Sequence, residues 1–261
     1  MKYLLSAVTW DEFLRSGMCQ LELVPLADKY DCAGIEFRPY WRRAMEELPA
    51  IREFLAEYEL ISAYACDESL LGQSEESARQ SLRAVDRSLT FAGFLGSAVL
   101  QVNIANEPFS PALVQAQWWQ EEIRRLIAKA REKEILLAVQ NIPYGWSGDP
   151  VFLRDLVELF DSPWLRVSFA AGNWLAAGWE PGEALDVLKG YLGYVHIQDI
   201  SGSQGSYRSC PPGTGLVDVG GLIGRLRQAG YQGYCALALP GGKSPAASVK
   251  AGLQLLQQEI E

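Results

Sequence analysis

The sequence has few of the residues that most often bind metals or form disulfides. It contains one histidine, His196, and five cysteines without a Cys-x-x-Cys pair: Cys19, Cys32, Cys66, Cys210 and Cys235. An odd number of scattered cysteines is typical of reduced thiols. We therefore expect neither a disulfide framework nor a structural zinc site.

The chain also lacks basic runs and long apolar runs. The 23 Lys and Arg residues are outnumbered by 32 Asp and Glu residues, so the net charge is −9. This balance disfavours a nucleic acid or an anionic membrane surface as partner. No apolar run approaches 18 residues, and the first ten residues lack a signal-peptide cleavage region. We expect a soluble, cytoplasmic protein.

Strand-like and helix-like segments alternate along the whole sequence. Strands are predicted at 4–8, 33–37, 60–66, 98–105, 134–140, 165–169, 194–198 and 234–239, with helices between them and a closing helix at 244–260. Strands separated by helices run parallel, and eight such units close into a (β/α)₈ TIM barrel. No linker divides the chain, so we predict one domain over residues 1–261. An open doubly wound sheet is less favoured, because no Gly-rich phosphate loop follows the first strand.

The only histidine lies at the end of the seventh predicted strand, 194–198, just before a Gly- and Ser-rich loop. An α/β barrel carries its chemistry at such strand ends. The alternative is a hydrogen-bonded histidine in the core.

Alternation of side chains along each strand predicts which residues line the barrel interior. If the apolar faces point towards the helices, the interior receives Glu36, Arg38, Ser62, Tyr64, Gln101, Asn103, Gln140, Ser168, Ala170, His196, Gln198, Ala236 and Ala238. Buried polar groups need partners. One interpretation is an internal network with a Glu36–Arg38 ion pair, and the other is a pocket for a polyhydroxylated small molecule.

Aromatic residues follow several strand ends. They are Tyr40, Trp41, Tyr144, Trp146 and Trp174. Such rings stack on the C–H face of a sugar or anchor loops to the barrel rim, and both interpretations stay open here.

Five segments carry a resemblance to a known family. They are 34–38 (GIEFR), 139–141 (VQN), 169–173 (FAAGN), 195–199 (VHIQD) and 212–218 (PGTGLVD). Together they resemble the xylose isomerase-like TIM barrels, a group of sugar and sugar phosphate isomerases and epimerases that also includes endonuclease IV. The resemblance covers nearly the whole chain.

The resemblance implies a divalent metal site whose usual ligands are Glu, Asp, His and Glu. These fall on Gln140, Ala170, His196 and Ala238, so only the histidine remains. Divalent ions such as Mn²⁺ and Mg²⁺ prefer several anionic oxygen ligands. We therefore predict no metal and no other cofactor. The two strand-end glutamates that transfer protons in the family are replaced as well, by Gln140 and Ala238.

The candidate proton-transfer residues are His196, because an imidazole can both accept and donate a proton, and Glu36, by its position. The candidate substrate-binding residues are Arg38, Tyr64, Asn103, Gln140, Asn141, Trp146, Asn173, Gln198 and Asp199. Asp199 lies one residue past the interior face, so its alternative role is to orient a loop.

The hypothesis is a metal-independent isomerase or epimerase that binds a sugar, sugar phosphate or cyclitol. The alternative is a non-catalytic sugar-binding or regulatory pseudoenzyme. A nuclease like endonuclease IV is excluded, because one histidine cannot supply its metal cluster.

Overall fold

A computed structural model describes residues 1–258 of the chain and the side chains of residues 1–256. The ten strands are β1 Lys2–Ser6, β2 Gly34–Phe37, β3 Ile61–Leu71, β4 Val99–Ala105, β5 Leu136–Gln140, β6 Leu165–Ala170, β7 Leu192–Ile197, β8 Asp199–Ser201, β9 Arg208–Cys210 and β10 Tyr234–Leu237. The α-helices are α1 Asp11–Ser16, α2 Leu23–Lys29, α3 Ala44–Glu57, α4 Glu75–Leu95, α5 Gln117–Glu132, α6 Pro150–Glu158, α7 Ala171–Ala176, α8 Pro181–Leu188, α9 Val219–Gln228 and α10 Pro245–Gln258. The last residues of the predicted closing helix lie outside the described chain.

Eight of the strands form a closed parallel barrel in the order β1-β10-β7-β6-β5-β4-β3-β2. Helices follow the strands, because each parallel connection must cross from one end of the barrel to the other. The predicted single-domain (β/α)₈ barrel is confirmed. Within residues 1–258, no helix is long and apolar enough to cross a membrane.

The longest helix shows how local sequence sets the element boundaries. The Ser74 side chain accepts a hydrogen bond from the backbone N–H of Ser77, and the Ser77 side chain accepts one from Ser74, which is a capping box. Gly96 follows the last turn with φ +67°, a left-handed conformation that glycine adopts without a steric penalty. These two caps set the limits of α4, Glu75–Leu95.

The barrel interior is filled by a cluster of six buried side chains. They are Leu4, Ala63, Val99, Ala138, Tyr194 and Ala236. The three alanines leave room for the large ring of Tyr194, in keeping with the close packing of protein interiors.

The faces of β3 are the reverse of those predicted. The register pairs Ala63 with Glu36 and Tyr64 with Phe37, so Ala63 faces the interior. The Ser62 and Ser97 hydroxyls are 2.7 Å apart, and the Tyr64 hydroxyl accepts a hydrogen bond from Trp41 Nε1 over 3.0 Å. The prediction that Ser62 and Tyr64 line the interior is wrong. The prediction assumed that the apolar residues Ile61 and Ala63 face the helices. The interior beside Tyr194 instead requires a small side chain, which Ala63 supplies.

Two further strands, β8 and β9, were not predicted. They pair antiparallel in the connection between β7 and α9, outside the barrel. Each has only three residues, which is too short for a clear alternation of apolar and polar side chains.

Candidate functional site

The Glu36 carboxylate lies at the centre of a buried cluster of hydrogen bonds. The Ser6 hydroxyl donates to Oε1 over 2.6 Å, and the Tyr194 hydroxyl donates to Oε2 over 2.8 Å. His196 Nε2 lies 2.6 Å from the same Oε2. A carboxylate only accepts hydrogen bonds, so Nε2 carries the proton in this contact. We call these four side chains the Glu36 cluster.

Strand geometry brings the Glu36 cluster together. Ser6 lies opposite Glu36 in the β1–β2 register. Tyr194 and His196 are two residues apart on β7 and so share a face, and their rings meet edge to face at 5.3 Å. β10 and β1 lie between β7 and β2. The residue of β10 opposite His196 is Ala236, whose small side chain leaves the interior open for the contact.

The electrostatics of the Glu36 cluster favour an ionised carboxylate. Glu36 is fully buried and the His196 side chain is 2% exposed. Burial acts to raise the pKa of Glu36, but the charge and hydrogen bond of His196, the charge of Arg38 and the Ser6 hydroxyl together lower it. A carboxylate with three donors and a lowered pKa is a weak base. Its position suits it to orient His196.

Glu36 and Arg38 do not form the ion pair that the sequence suggested. Arg38 Nη1 donates instead to Asp67 Oδ1 over 2.8 Å. Arg38 follows β2 directly, where the strand leaves the barrel, and Asp67 lies in the irregular part of β3 between Ala65 and Ser69. The guanidinium therefore lies at the mouth of the barrel and not deep in its interior.

A chain of side-chain amides runs along the same mouth. Gln101 Nε2 donates to Asn103 Oδ1 over 3.1 Å, and Asn103 Nδ2 donates to Asn106 Oδ1 over 2.7 Å. Asn106 Nδ2 in turn donates to the backbone oxygen of Asp67 over 2.6 Å. The hydroxyl of Tyr144 donates to the backbone oxygen of Asn106 over 3.0 Å. Predicted residues Arg38 and Asn103 are thus joined through Asp67 and Asn106.

A second group of predicted residues lies at the ends of β5, β6 and β7. Gln140 Oε1 accepts a hydrogen bond from Ser168, and Asn173 Nδ2 donates to the backbone oxygen of Asn141 over 2.8 Å. Gln198 Nε2 lies 3.4 Å from Asn173 Oδ1. These contacts bring four of the predicted substrate-binding residues to neighbouring strand ends.

Asn141 is fully buried, and neither end of its side-chain amide has a hydrogen-bond partner within the described chain. Ser147 Oγ and Trp174 Nε1, on the following loop and on α7, are also buried and unpaired there. Each unpaired buried polar group costs about 1–3 kcal/mol. Such costs are commonly tolerated where a ligand or an ordered water supplies the missing partner.

Three predicted substrate-binding residues have other surroundings. The buried Tyr64 stacks on Trp41, on the helix side of the barrel. Each oxygen of the buried Asp199 accepts two backbone N–H bonds, from Gly213 and Gly215 and from Ile200 and Val217. Asp199 thus orients the loop before α9, which is the alternative role considered for it. Trp146 is 50% exposed and packs against Phe152.

The family's metal ligands do not reassemble in this chain. Of the four matching positions, Ala170 and Ala238 have no donor atom, Gln140 offers a neutral amide, and His196 Nε2 is bound to Glu36. No group of three or more His, Cys, Asp or Glu side chains in residues 1–258 is arranged to hold a metal ion. This donor set does not fit a divalent cation.

Sequence reasoning did not identify Ser6, Gln20, Asn106 or Tyr194 as parts of the site. Tyr194 shares a strand face with His196, which was the available evidence for it. The side-chain amide of Gln20 binds the backbone of Arg38. Gln20 lies in a short 3-10 helix far from any strand end in the sequence, so the strand pattern did not point to it. The β1–β2 register that pairs Ser6 with Glu36 is a property of the closed barrel and not of either segment.

Known proteins resemble the chain at low identity. It is 22% identical over 167 residues to L-ribulose-5-phosphate 3-epimerase UlaE of Escherichia coli O1:K1 / APEC, a match that covers 62% of this chain and 57% of that relative. A crystal structure of a D-tagatose 3-epimerase-like protein matches 100% of this chain and 97% of its own, with a TM-score of 0.80 and 16% identity. D-allulose 3-epimerase from Methylomonas sp. matches 99% and 98%, with a TM-score of 0.77 and 14% identity.

The two structural likenesses support the fold. The family model described as xylose isomerase-like TIM barrel matches residues 24–259, which is most of the chain. The chain therefore belongs to the xylose isomerase-like TIM barrel family.

Proposed function

We propose that the protein is a metal-independent isomerase or epimerase that binds a sugar, sugar phosphate or cyclitol in a polar pocket at the carboxyl ends of its barrel strands. The observation that carries the proposal is the His196–Glu36 contact of 2.6 Å. A histidine held by a buried carboxylate is a common arrangement for general acid–base catalysis.

His196 is the residue that would move the proton. Its Nε2 is bound to Glu36, and within the described chain Nδ1 has no hydrogen-bond partner. Glu36 fixes the ring orientation and stabilises the protonated imidazole, so it acts as a positioning residue. This changes the role expected for Glu36 from base to support of the base.

The amides at the mouth suit the recognition of hydroxyl groups. Asn103, Gln140 and Gln198 each carry both a donor and an acceptor, as a sugar hydroxyl requires. The relatives named above are a sugar-phosphate epimerase and sugar epimerases, which supports a carbohydrate as the ligand class.

Metal independence rests on the donor set. At the four matching positions a divalent cation, which would act as the electrophile, meets only the neutral amide of Gln140 and His196, whose Nε2 is already bound to Glu36. Proton transfer in this chain would depend on hydrogen bonds from side-chain amides to stabilise developing charge.

The second candidate is a non-catalytic sugar-binding protein. It is favoured by one observation: the positions at which the resemblance places the family's proton-transfer glutamates hold Gln140 and Ala238, and neither side chain can act as an acid or a base. Inversion of a sugar carbon by two acid–base residues at these positions is then unavailable, whereas binding of a sugar does not require them.

Proton NMR in D₂O separates the two candidates. Wild-type protein and the His196→Gln variant are incubated with aldoses, ketoses, their phosphates and inositols, and binding is measured in parallel by calorimetry. Exchange of a C–H proton that is lost in His196→Gln, with binding retained, supports the enzyme. Binding without exchange supports the second candidate, and absence of binding by every compound contradicts the proposal. Circular dichroism of both proteins checks that the variant folds.

A further inference from the structure

Arg38 is held at the mouth of the barrel by a buried amide. Gln20 Nε2 donates to the backbone oxygen of Arg38 over 2.8 Å, and the backbone N–H of Arg38 donates to Gln20 Oε1 over 3.0 Å. Gln20 is fully buried. The amide oxygen and the amide nitrogen of Gln20 thus both bind the backbone of Arg38. This fixes the direction of the Arg38 side chain at the end of β2 in the absence of a ligand.

Most of the guanidinium of Arg38 has no protein partner. Within residues 1–258 only Nη1 is paired, with Asp67, and Nε is buried and unpaired. The side chain is 15% exposed. A guanidinium with no internal role would be expected to extend into water, because burying an unpaired N–H carries a cost.

Of the three acidic neighbours of Arg38, Glu36 and Asp11 are bound by other groups, and Asp67 is paired with Arg38 itself. Glu36 is bound by the donors of its cluster, and both carboxylate oxygens of Asp11 lie 2.9 Å from Arg15 Nε and share its N–H. The side chain of Asp67 is 62% exposed, so water screens its charge. The guanidinium therefore keeps part of its charge for a group that enters the mouth.

From these contacts we infer that Arg38 binds an anionic group, a carboxylate or a phosphate monoester, on a polyhydroxylated ligand. A guanidinium presents parallel N–H donors that match the two oxygens of either anion. The Asn103–Asn106 amides beside Asp67 would meet hydroxyl groups of the same molecule. The inference rests on the proposed sugar site and adds the charge of the ligand to it.

Calorimetric titration with matched probes tests the inference. The probes are D-glucose, D-glucuronate and D-glucose 6-phosphate, followed by D-fructose and D-fructose 6-phosphate, so that the neutral sugar, the carboxylate and the phosphate are compared on related skeletons. The proteins are wild type, Arg38→Gln, Arg38→Lys and, as a matched control, Arg208→Gln. Arg208 is an exposed arginine of the β7–α9 connection.

The expected result is that an anionic probe binds wild type at least about tenfold more tightly than its neutral parent, as charged hydrogen bonds allow. Arg38→Gln removes the preference for the anionic probe. Arg38→Lys keeps part of it, because the positive charge remains but the parallel N–H donors of the guanidinium are lost. Arg208→Gln leaves the preference unchanged. Whether the carboxylate or the phosphate is preferred identifies the anion.

Two other outcomes have distinct meanings. Equal binding of neutral and anionic probes, or a preference that survives in a folded Arg38→Gln protein, overturns the assignment of Arg38 and leaves the sugar site intact. Failure of every probe to bind contradicts the proposed function itself. Thermal unfolding of the four proteins shows which variants are folded.

Discussion

Glu36 uses its hydrogen-bonding capacity on three side chains of its own protein. The donors are Ser6, Tyr194 and His196, and all three are buried. Such a carboxylate supports both the fold and the orientation of the one histidine. Removing its charge therefore affects stability as well as function.

Replacing Glu36 with Gln is expected to lower the free energy of unfolding at pH 7 by about 3 kcal/mol, because it breaks a buried, hydrogen-bonded charged pair. The folded-state pKa of Glu36 is lowered. Its contribution is thus complete above the unfolded value of about 4.3 and is lost as the pH falls below it. Urea unfolding from pH 7 to pH 3 should show the difference between wild type and Glu36→Gln shrinking towards low pH.

Glu46→Gln is the control for that series, since the Glu46 side chain is 70% exposed. It should change stability by less than about 1 kcal/mol. A difference between wild type and Glu36→Gln that grows as the pH falls would contradict the ionised state assigned to Glu36.

Asn141 allows ligand binding to be separated from stability. Because both ends of its buried amide are unpaired in the described chain, Asn141→Leu removes an unsatisfied polar group of similar size. We expect the free energy of unfolding to stay level or rise by about 1 kcal/mol, while the affinity for a bound sugar falls. Thermal unfolding and calorimetry measure the two quantities.

Asn173→Leu is the matched substitution, because Asn173 donates a hydrogen bond to the backbone of Asn141. It should destabilise the protein by about 1 kcal/mol. If Asn141→Leu destabilises the protein more than Asn173→Leu does, the unpaired state of Asn141 is wrong.

At the scale of elements, the loop before α9 is organised around one carboxylate. Asp199 accepts hydrogen bonds from the backbone N–H groups of Ile200, Gly213, Gly215 and Val217. In Asp199→Asn, one acceptor oxygen becomes an NH₂ group that faces backbone donors. Hydrogen exchange of the 213–217 amides should accelerate, and the protein should lose about 2 kcal/mol of stability.

Asp218→Asn tests the same chemical change in the adjacent helix cap. Asp218 accepts a hydrogen bond from Gly221 N–H at the start of α9, and asparagine caps helices about as well as aspartate. This variant should therefore have near-wild-type exchange in the loop. Equal acceleration in both variants would argue that Asp199 has no special role there.

The elements differ in how far sequence alone predicted them. Eight strands and their order followed from hydrophobic alternation, which also gave interior faces for seven of the strands, six of them correctly. The faces of β3 were predicted wrongly, because the segment Ile61-Ser62-Ala63-Tyr64 has similar apolar character on both faces. Which face points to the interior depends on the volume left beside Tyr194. The pairing of Glu36 with His196 instead of Arg38 depends on barrel closure, which no local pattern encodes.

At the scale of the whole molecule, a family barrel is retained while the residues at its strand ends have changed. The fold matches the structures of a D-tagatose 3-epimerase-like protein and of a D-allulose 3-epimerase over nearly all of its length at 14–16% identity. A barrel core tolerates this divergence, because its packing requires volume and apolar character rather than particular residues. The strand ends at the mouth differ from this pattern, because Ala170 and Ala238 occupy positions at which the resemblance implies metal ligands.

The proposed function requires that this barrel bind its ligand without a divalent cation. This is tested by the dissociation constant of the tightest-binding sugar, obtained by calorimetry on protein treated with EDTA and again after addition of Mn²⁺ or Mg²⁺. We expect the same constant in all three conditions. Loss of binding in EDTA that either cation restores would contradict it.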